Sequence, residues 1–274
     1  MSHIACISCG KDSLKMLDVI KSRGLPLDRI ITVDVWATDT ILAEFPEVTE
    51  FKKKMDFYIK GKYGIEVEHL YAKYPDGSKI TYEKQFYRVF EKGKHTGSIY
   101  GFPVRKGAWC NDRLKMGAMA GVIKKNDVEY VGIAYDEKKR HKILSETKIA
   151  PLVDFEIDES LCGLHCQYEG ILSPSYEDSF RDGCWFCHNQ GVNQLRVLRK
   201  KHPQLWQLLL KWDKDSPVTF KSDGHTVHDY DRRFEYEEKG FVPCGSKFKW
   251  SMLDDEDGQI TMVFDDAPEE FHYG

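Results

Sequence analysis

His3-Ile4-Ala5-Cys6-Ile7-Ser8-Cys9-Gly10-Lys11-Asp12-Ser13 is the stretch on which the reading of this chain turns. Ile4 to Ile7 is a short apolar run of the kind a buried strand makes, and Ser13 to Arg23 carries Leu14, Leu17 and Ile20 at three-residue spacing, one apolar helical face. Gly24 and Pro26 stop that helix. Arg29 to Trp36 is a second β-branched run, so strand, loop, helix and strand succeed one another at the length of a βαβ unit with parallel pairing.

The pattern continues outward. Val48, Phe51, Met55, Tyr58 and Ile59 share a helical face within Phe45 to Tyr63, Gly64 ends it, and a strand is expected over Val67 to Tyr71. Helices are expected over Tyr82 to Phe90 and Trp109 to Lys124, with a strand at Glu129 to Ala134. This order predicts an α/β fold with a doubly wound, mainly parallel sheet, whose ligand site lies beyond the carboxyl ends of the strands. From Asp154 the chain turns acidic and cysteine-rich, and then Val192 to Lys200 and Pro203 to Trp212 read as two amphipathic helices. The expected organisation is a nucleotide-binding α/β domain over 1–153, a Cys-rich, metal-binding and mostly helical region over 154–212, and a C-terminal extension over 213–274.

Composition bounds the rest. The 274 residues are 41% hydrophobic and 31% charged, within the range of globular proteins, with no apolar run of membrane-spanning length. Lys plus Arg number 40 against 44 Asp plus Glu, a net charge of −4, so a whole-surface grip on polyanions is not implied. No cleavable leader pattern precedes the first strand, and the chain reads as cytoplasmic. Its eight cysteines are then expected to be metal ligands or reactive thiols rather than a disulfide framework.

Ser8 to Ser13 joins the first strand to the first helix, where unpaired N–H groups and the positive helix end point at one spot that suits a phosphate. Gly10 allows close approach, Lys11 supplies a point charge, and the Ser8 and Ser13 hydroxyls can donate to phosphate oxygens. Asp12 is compatible with phosphates if Mg²⁺ lies between them. The bland alternative is a tight turn with a serine cap.

The segment resembles the S-G-G-K-D-S pyrophosphate loop (PP-loop) of the ATP pyrophosphatases, the adenine nucleotide alpha-hydrolase superfamily, with Cys9 in place of the first glycine. Trp36 to Glu50 resembles the family's second block, an acidic, threonine-rich loop entering F-P-E. Gly107 to Lys115 is similar to the W-C-x-x-x-L-K block of the phosphoadenosine phosphosulfate reductase branch, and Val131 to Arg140 to its G-I-R-x-x-E-x-x-R block. Gly183 to Cys187 followed by Leu198 to Trp206 resembles the G-C-W-x-C and L-R-x-x-x-P-x-L-W ending of phage-type and DNA-phosphorothioation-type members.

The resemblance implies ATP or a related adenine nucleotide bound by Ser8, Gly10, Lys11, Asp12 and Ser13. It places Asp34 and Val35 beside the adenine, Arg113 on a phosphate or adenylate oxygen pair, and Asp136 and Arg140 beside the reacting group. Catalysis would then rest on Lys11, Asp12, Lys115 and Arg140. Because Arg113 and Lys115 lie about 200° apart on a regular helix, one of them is expected to precede the helix proper. For Lys115 alone a solvated helix position is the simpler reading. Trp109 is expected in the core, and Cys110 is either a buried thiol or a nucleophile. Arg105, Lys106, Arg113 and Lys115 form one basic segment and Arg196, Arg199, Lys200 and Lys201 another; each is a nucleic-acid contact or an ordinary solvated face.

Cys162-x3-Cys166 and Cys184-x2-Cys187 are spaced like the two halves of a zinc ribbon, and four thiolates close a tetrahedral site. A [4Fe-4S] cluster, as the resemblance suggests, needs the same ligand count. His165 and His188 stand beside the pairs as substitutes. Cys162-Gly163-Leu164-His165 also reads like the catalytic C-G-L-H of sulfonucleotide reductases, but there the motif ends the chain.

The leading expectation is therefore an enzyme that uses ATP and Mg²⁺ to adenylate an acceptor, with sulfur transfer to a nucleic acid or a small molecule and a sulfur-donor protein as partner. A sulfonucleotide reductase and a catalytically inactive nucleotide- or nucleic-acid-binding module are the alternatives.

Overall fold

The computed structural model describes residues 1–104, 108–142, 144–178 and 183–253. Strand β1 (His3–Ile7) leads into helix α1 (Lys11–Ser22), β2 (Arg29–Val33), α2 (Pro46–Tyr63), β3 (Val67–Leu70) and α3 (Tyr82–Phe86). A π-helical segment, Asn111–Met116, and a single turn, α4 (Gly117–Met119), precede β4 (Val128–Val131). Then follow α5 (Lys138–His141), β5 (Lys148–Ile149), α6 (Pro151–Asp154), α7 (Glu159–Tyr168), α8 (Ser175–Asp178), α9 (Val192–Lys201), α10 (Pro203–Asp215) and α11 (Val227–Glu238).

The five strands form one all-parallel sheet in the order β3-β2-β1-β4-β5. Ala5 faces Ile30 on one side and Tyr130 on the other, so β1 is central. Successive residues Ile4 and Ala5 are both wholly buried, which requires cover on both faces of the strand. From β1 the chain moves outward through β2 and β3, then returns to place β4 on the opposite side. The resulting crevice between the carboxyl ends of β1 and β4 is the place where open parallel sheets bind ligands.

Helix ends follow local chemistry. α2 begins with Pro46 in its first turn, where the missing N–H costs nothing, and ends at Gly64, whose φ of 73° is the left-handed stop. The helix expected over 109–124 is instead a π-helical segment and one further turn. Ala120 turns out to ψ 127° and Gly121 has φ +80°, so the chain leaves the helix there. Both Arg113 and Lys115 lie within the π-helical segment, so neither precedes it as expected.

Two cores are present. In the first, Ala5, Ile7, Ile30 and Tyr130 meet Leu14 and Leu17 of α1, Phe51 and Met55 of α2, and Cys162 and Cys166 of α7. The second is aromatic: Tyr82, Phe86, Phe102, Trp109, Trp185, Trp212, Phe220 and Phe234 pack together, with Trp185 and Trp212 stacked at 5.3 Å. Trp185 also donates its indole N–H to Leu42 O (2.9 Å) and its backbone N–H to Ala43 O (2.8 Å), tying this core to the segment after β2. Trp109 is a core residue, stacked on Tyr82 at 5.0 Å. No helix of the described residues is long and apolar enough to cross a membrane.

Candidate functional site

The loop after β1 enters the crevice between β1 and β4. Cys9 is buried and takes φ 57°, the left-handed region that glycine occupies without cost. Gly10 has the extended φ −74°, ψ 162° of a helix N-cap and offers no side-chain cap. The first-turn N–H groups of α1 therefore point toward the crevice without side-chain acceptors from the cap. The Ser13 hydroxyl donates to Gly10 O (2.9 Å) and accepts from the Ser8 N–H (3.3 Å), so here it shapes the loop, while Ser8 is exposed. Gly132, just beyond β4, is a residue that sequence reasoning did not assign to the site. A Cβ there would lie 3.0 Å from both Ser13 N and Ser13 Cα.

Lys11 turns its Nζ between two carboxylates, Asp12 Oδ1 at 2.9 Å and Glu159 Oε2 at 2.8 Å. Burial lowers the lysine pKa, but the hydrogen bonds to Glu159 and Asp12 outweigh it, and Lys11 is held above its ordinary value and charged. Burial pushes the Asp12 carboxyl up, and the Lys11 ammonium only partly reverses this. Glu159 belongs to the first turn of α7, whose N-terminus is fixed by two further aspartates. Asp158 accepts from Leu161 N (2.8 Å) and Asp136 from Glu159 N (3.2 Å). Asp136 thus caps α7. Farther along α7, the Cys162 thiol hydrogen-bonds to Asp12, and Cys166 Sγ lies 3.5 Å from Lys11 O. Burial pushes both thiols up, Cys166 to about 12, so both are neutral.

Asp34, at the end of β2, accepts from Lys52 Nζ (3.2 Å) and His69 Nδ1 (2.8 Å). Burial raises its pKa, but the His69 hydrogen bond and the Lys52 charge more than offset this, and the net shift is downward. Lys52 is almost wholly buried and also meets Glu44 at 3.1 Å. His69 Nε2 continues the chain of charges to Asp56 at 3.2 Å. Val35 is buried against the aromatic core.

Three further predicted residues are exposed on other elements. Arg113 and Lys115 are exposed; the Lys115 charge acts on Cys110 and Cys184. Arg140 is exposed and pairs with Glu137 at 2.7 Å. Of the two basic segments, Arg105 and Lys106 lie outside the described residues. In the other, Arg196 pairs with Glu237 (2.7 Å) and Arg199 with Asp231 (2.8 Å), both on α11, so these two arginines serve helix packing.

The four cysteines expected in one metal site are divided. Cys162 and Cys166 belong to the first core beside Asp12; Cys184 packs on the aromatic core, where its thiol is influenced by Cys187 and Cys110. The division follows from packing: α7 lies along α1, whereas Trp185, between Cys184 and Cys187, is anchored to residues 42 and 43. Among the described residues, no group of three or more His, Cys, Asp and Glu side chains converges to hold a metal ion. Cys110 is a half-buried thiol raised by burial, which does not suit a nucleophile.

Lys52, His69, Glu44 and Glu159 complete the site and were not expected. Lys52 stands in a Lys52-Lys53-Lys54 run that reads as solvated surface, and the only sequence signal for its burial is its place on the face between Val48 and Met55. Comparison of the chain with known protein families, with curated proteins and with solved structures finds no match.

Proposed function

We propose that this chain is a PP-loop enzyme of the phosphoadenosine phosphosulfate reductase type that binds ATP at the Ser8–Ser13 loop and transfers its adenylyl group to an acceptor, releasing pyrophosphate. The observation that carries this reading is the uncapped amino end of α1, with the Lys11 ammonium beside it, at the crevice between β1 and β4. Burial of β1 on both faces supports the doubly wound arrangement such enzymes use.

In this reading the loop N–H groups and Lys11 hold the β- and γ-phosphates. An acceptor nucleophile forms a bond to the α-phosphorus, the bridging P–O bond to the β-phosphate breaks, and pyrophosphate carries the electron pair away. The loop contributes by orienting the phosphate chain and by stabilising the charge that grows on the leaving group. Asp12, a partly exposed carboxylate at the mouth of the loop, suits Mg²⁺, which when bound neutralises phosphate charge. The Asp34–His69–Lys52 group lies at the next strand end, where the base would be received. The acceptor is a nucleic acid or a small molecule, and sulfur transfer is the chemistry that the resemblance suggests for the adenylated product.

The divided cysteines do not fit one four-thiolate zinc or [4Fe-4S] site. Burial and the raised pKa of Cys162 weigh against the reductase alternative, which needs an accessible thiolate.

Gly10→Val provides the test. Its backbone angles are ones valine adopts, so the substitution adds no backbone strain, while the new side chain blocks phosphate from the helix end. ATP binding should be lost. Unchanged ATP affinity in the folded variant would sink the assignment.

A further inference from the structure

The phosphate-binding lysine of the loop is not held in readiness for a ligand. Its ammonium lies between two carboxylates, 2.9 Å from Asp12 on its own helix and 2.8 Å from Glu159 on α7. The two partners differ in kind. Asp12 is the adjacent residue and travels with the loop, whereas Glu159 is 148 positions away and reaches Lys11 only because α7 packs along α1. The reach is fixed from both ends: Asp136 and Asp158 cap the first turn of α7, and Cys162 and Cys166 bind α7 to Asp12 and to Lys11 O. The lysine stem runs along the same helix: a Cβ placed on Gly163 would lie 3.9 Å from Lys11 Cδ, in ordinary contact.

We propose that Glu159 is a counter-ion gate on the phosphate loop, occupying Lys11 until a ligand with two linked phosphates displaces it, and so weakening the binding of pyrophosphate-bearing ligands while leaving monophosphates untouched. The proposal rests on the reading that the loop receives the phosphate chain of a nucleotide. A ligand that reaches Lys11 must break the Lys11–Glu159 pair and bring Glu159 near its own negative charge. Two linked phosphates supply several oxygens and the N–H contacts of α1 to offset that loss; a single phosphate at the α position does not reach the lysine and leaves the pair closed. Glu159 is 46% exposed, so once released its carboxylate can turn to water without being stranded. It is a positioning residue that acts through Lys11.

Titration calorimetry with inorganic pyrophosphate, Mg²⁺-free ATP and AMP on the full chain tests this, using wild type, Glu159→Gln, and Asp154→Asn as an exposed control with the same charge change. Glu159→Gln should bind pyrophosphate and ATP roughly threefold to fivefold more tightly, the range spanned by a partly exposed ion pair. AMP affinity and the Asp154→Asn variant should be unchanged. Glu159→Asp keeps the negative charge at the start of α7 but draws it back by one methylene, and should show a smaller gain in the same ligand order. Equal or weaker pyrophosphate binding by folded Glu159→Gln, or an equal gain for AMP, overturns the gate while leaving the nucleotide reading standing. A wild-type chain that binds neither pyrophosphate nor ATP overturns both.

Discussion

Gly132 lies so close to Ser13 that a Cβ on the glycine would come within 3.0 Å of Ser13 N and Cα and 3.2 Å of Asp12 C. The contact is with backbone, which cannot rotate aside, and it brings the end of β4 against the first turn of α1. Gly132→Ala should therefore destabilise the fold by about 1–3 kcal/mol through overpacking and weaken ATP binding by shifting the helix end. Denaturant unfolding and nucleotide titration on the same preparation check this; an unchanged midpoint and affinity would show that the two segments part without cost.

Cys9 occupies a left-handed conformation that costs a side-chain-bearing residue roughly 1–2 kcal/mol. Cys9→Gly should keep nucleotide binding, because glycine adopts the same angles more readily. Cys9→Val should unfold at lower denaturant and bind ATP weakly, since a β-branched residue is still less at ease there. The order Gly, Cys, Val in ATP affinity is the expected result, and valine equal to glycine would remove the conformational argument.

The Asp34–His69 contact makes stability depend on pH. The hydrogen bond to Asp34 raises the His69 pKa above its ordinary 6.5, so the stabilisation from charged His69 is full below 6.5 and is lost as pH rises through the raised value. Asp34, lowered from 3.8, contributes above that value and loses its contribution as pH falls below it. Thermal unfolding followed from pH 6 upward should show wild type losing stability and His69→Gln changing less over the same window. Parallel curves would mean that the imidazole gains nothing from Asp34.

The separation of the cysteine pairs predicts different variants. Cys162→Ser alters the partner of Asp12 and should change nucleotide affinity, while Cys184→Ser should leave that affinity alone and lower the stability of the aromatic core. Nucleotide titration and denaturant unfolding of both variants check this. Equal effects of the two variants on affinity would remove the distinction.

The sheet was legible because each of its early elements carries its own signal. Ile4 to Ile7 is apolar on both faces, as a central parallel strand must be, and Pro46 and Gly64 mark the ends of α2 directly. The loop that leads into α1 was legible for the same local reason. Residues 109–124 misled because a helical pattern says nothing of the extra residue per turn in a π-helical segment, nor of the left-handed Gly121 that ends the run. Lys52 and Glu159 were hidden more deeply. Each reads as surface charge, and each becomes part of the site only through partners that folding brings from distant positions, Asp34 for one and Lys11 for the other. The cysteine spacing suggested a single ribbon, but spacing cannot show that Trp185 is anchored to residues 42 and 43 while α7 follows α1.

The aromatic core draws Tyr82, Phe86 and Trp109 together with Trp185, Trp212 and Phe234, so its halves leave the ribosome far apart in time. A nascent chain that has emerged only as far as β4 holds its first three strands and their partner helices, yet the rings of residues 82–109 still await their cover. During that interval they are exposed to water or to a chaperone, and the interval lasts as long as synthesis of the covering helices takes. A fragment cut at residue 153 would keep that exposure permanently.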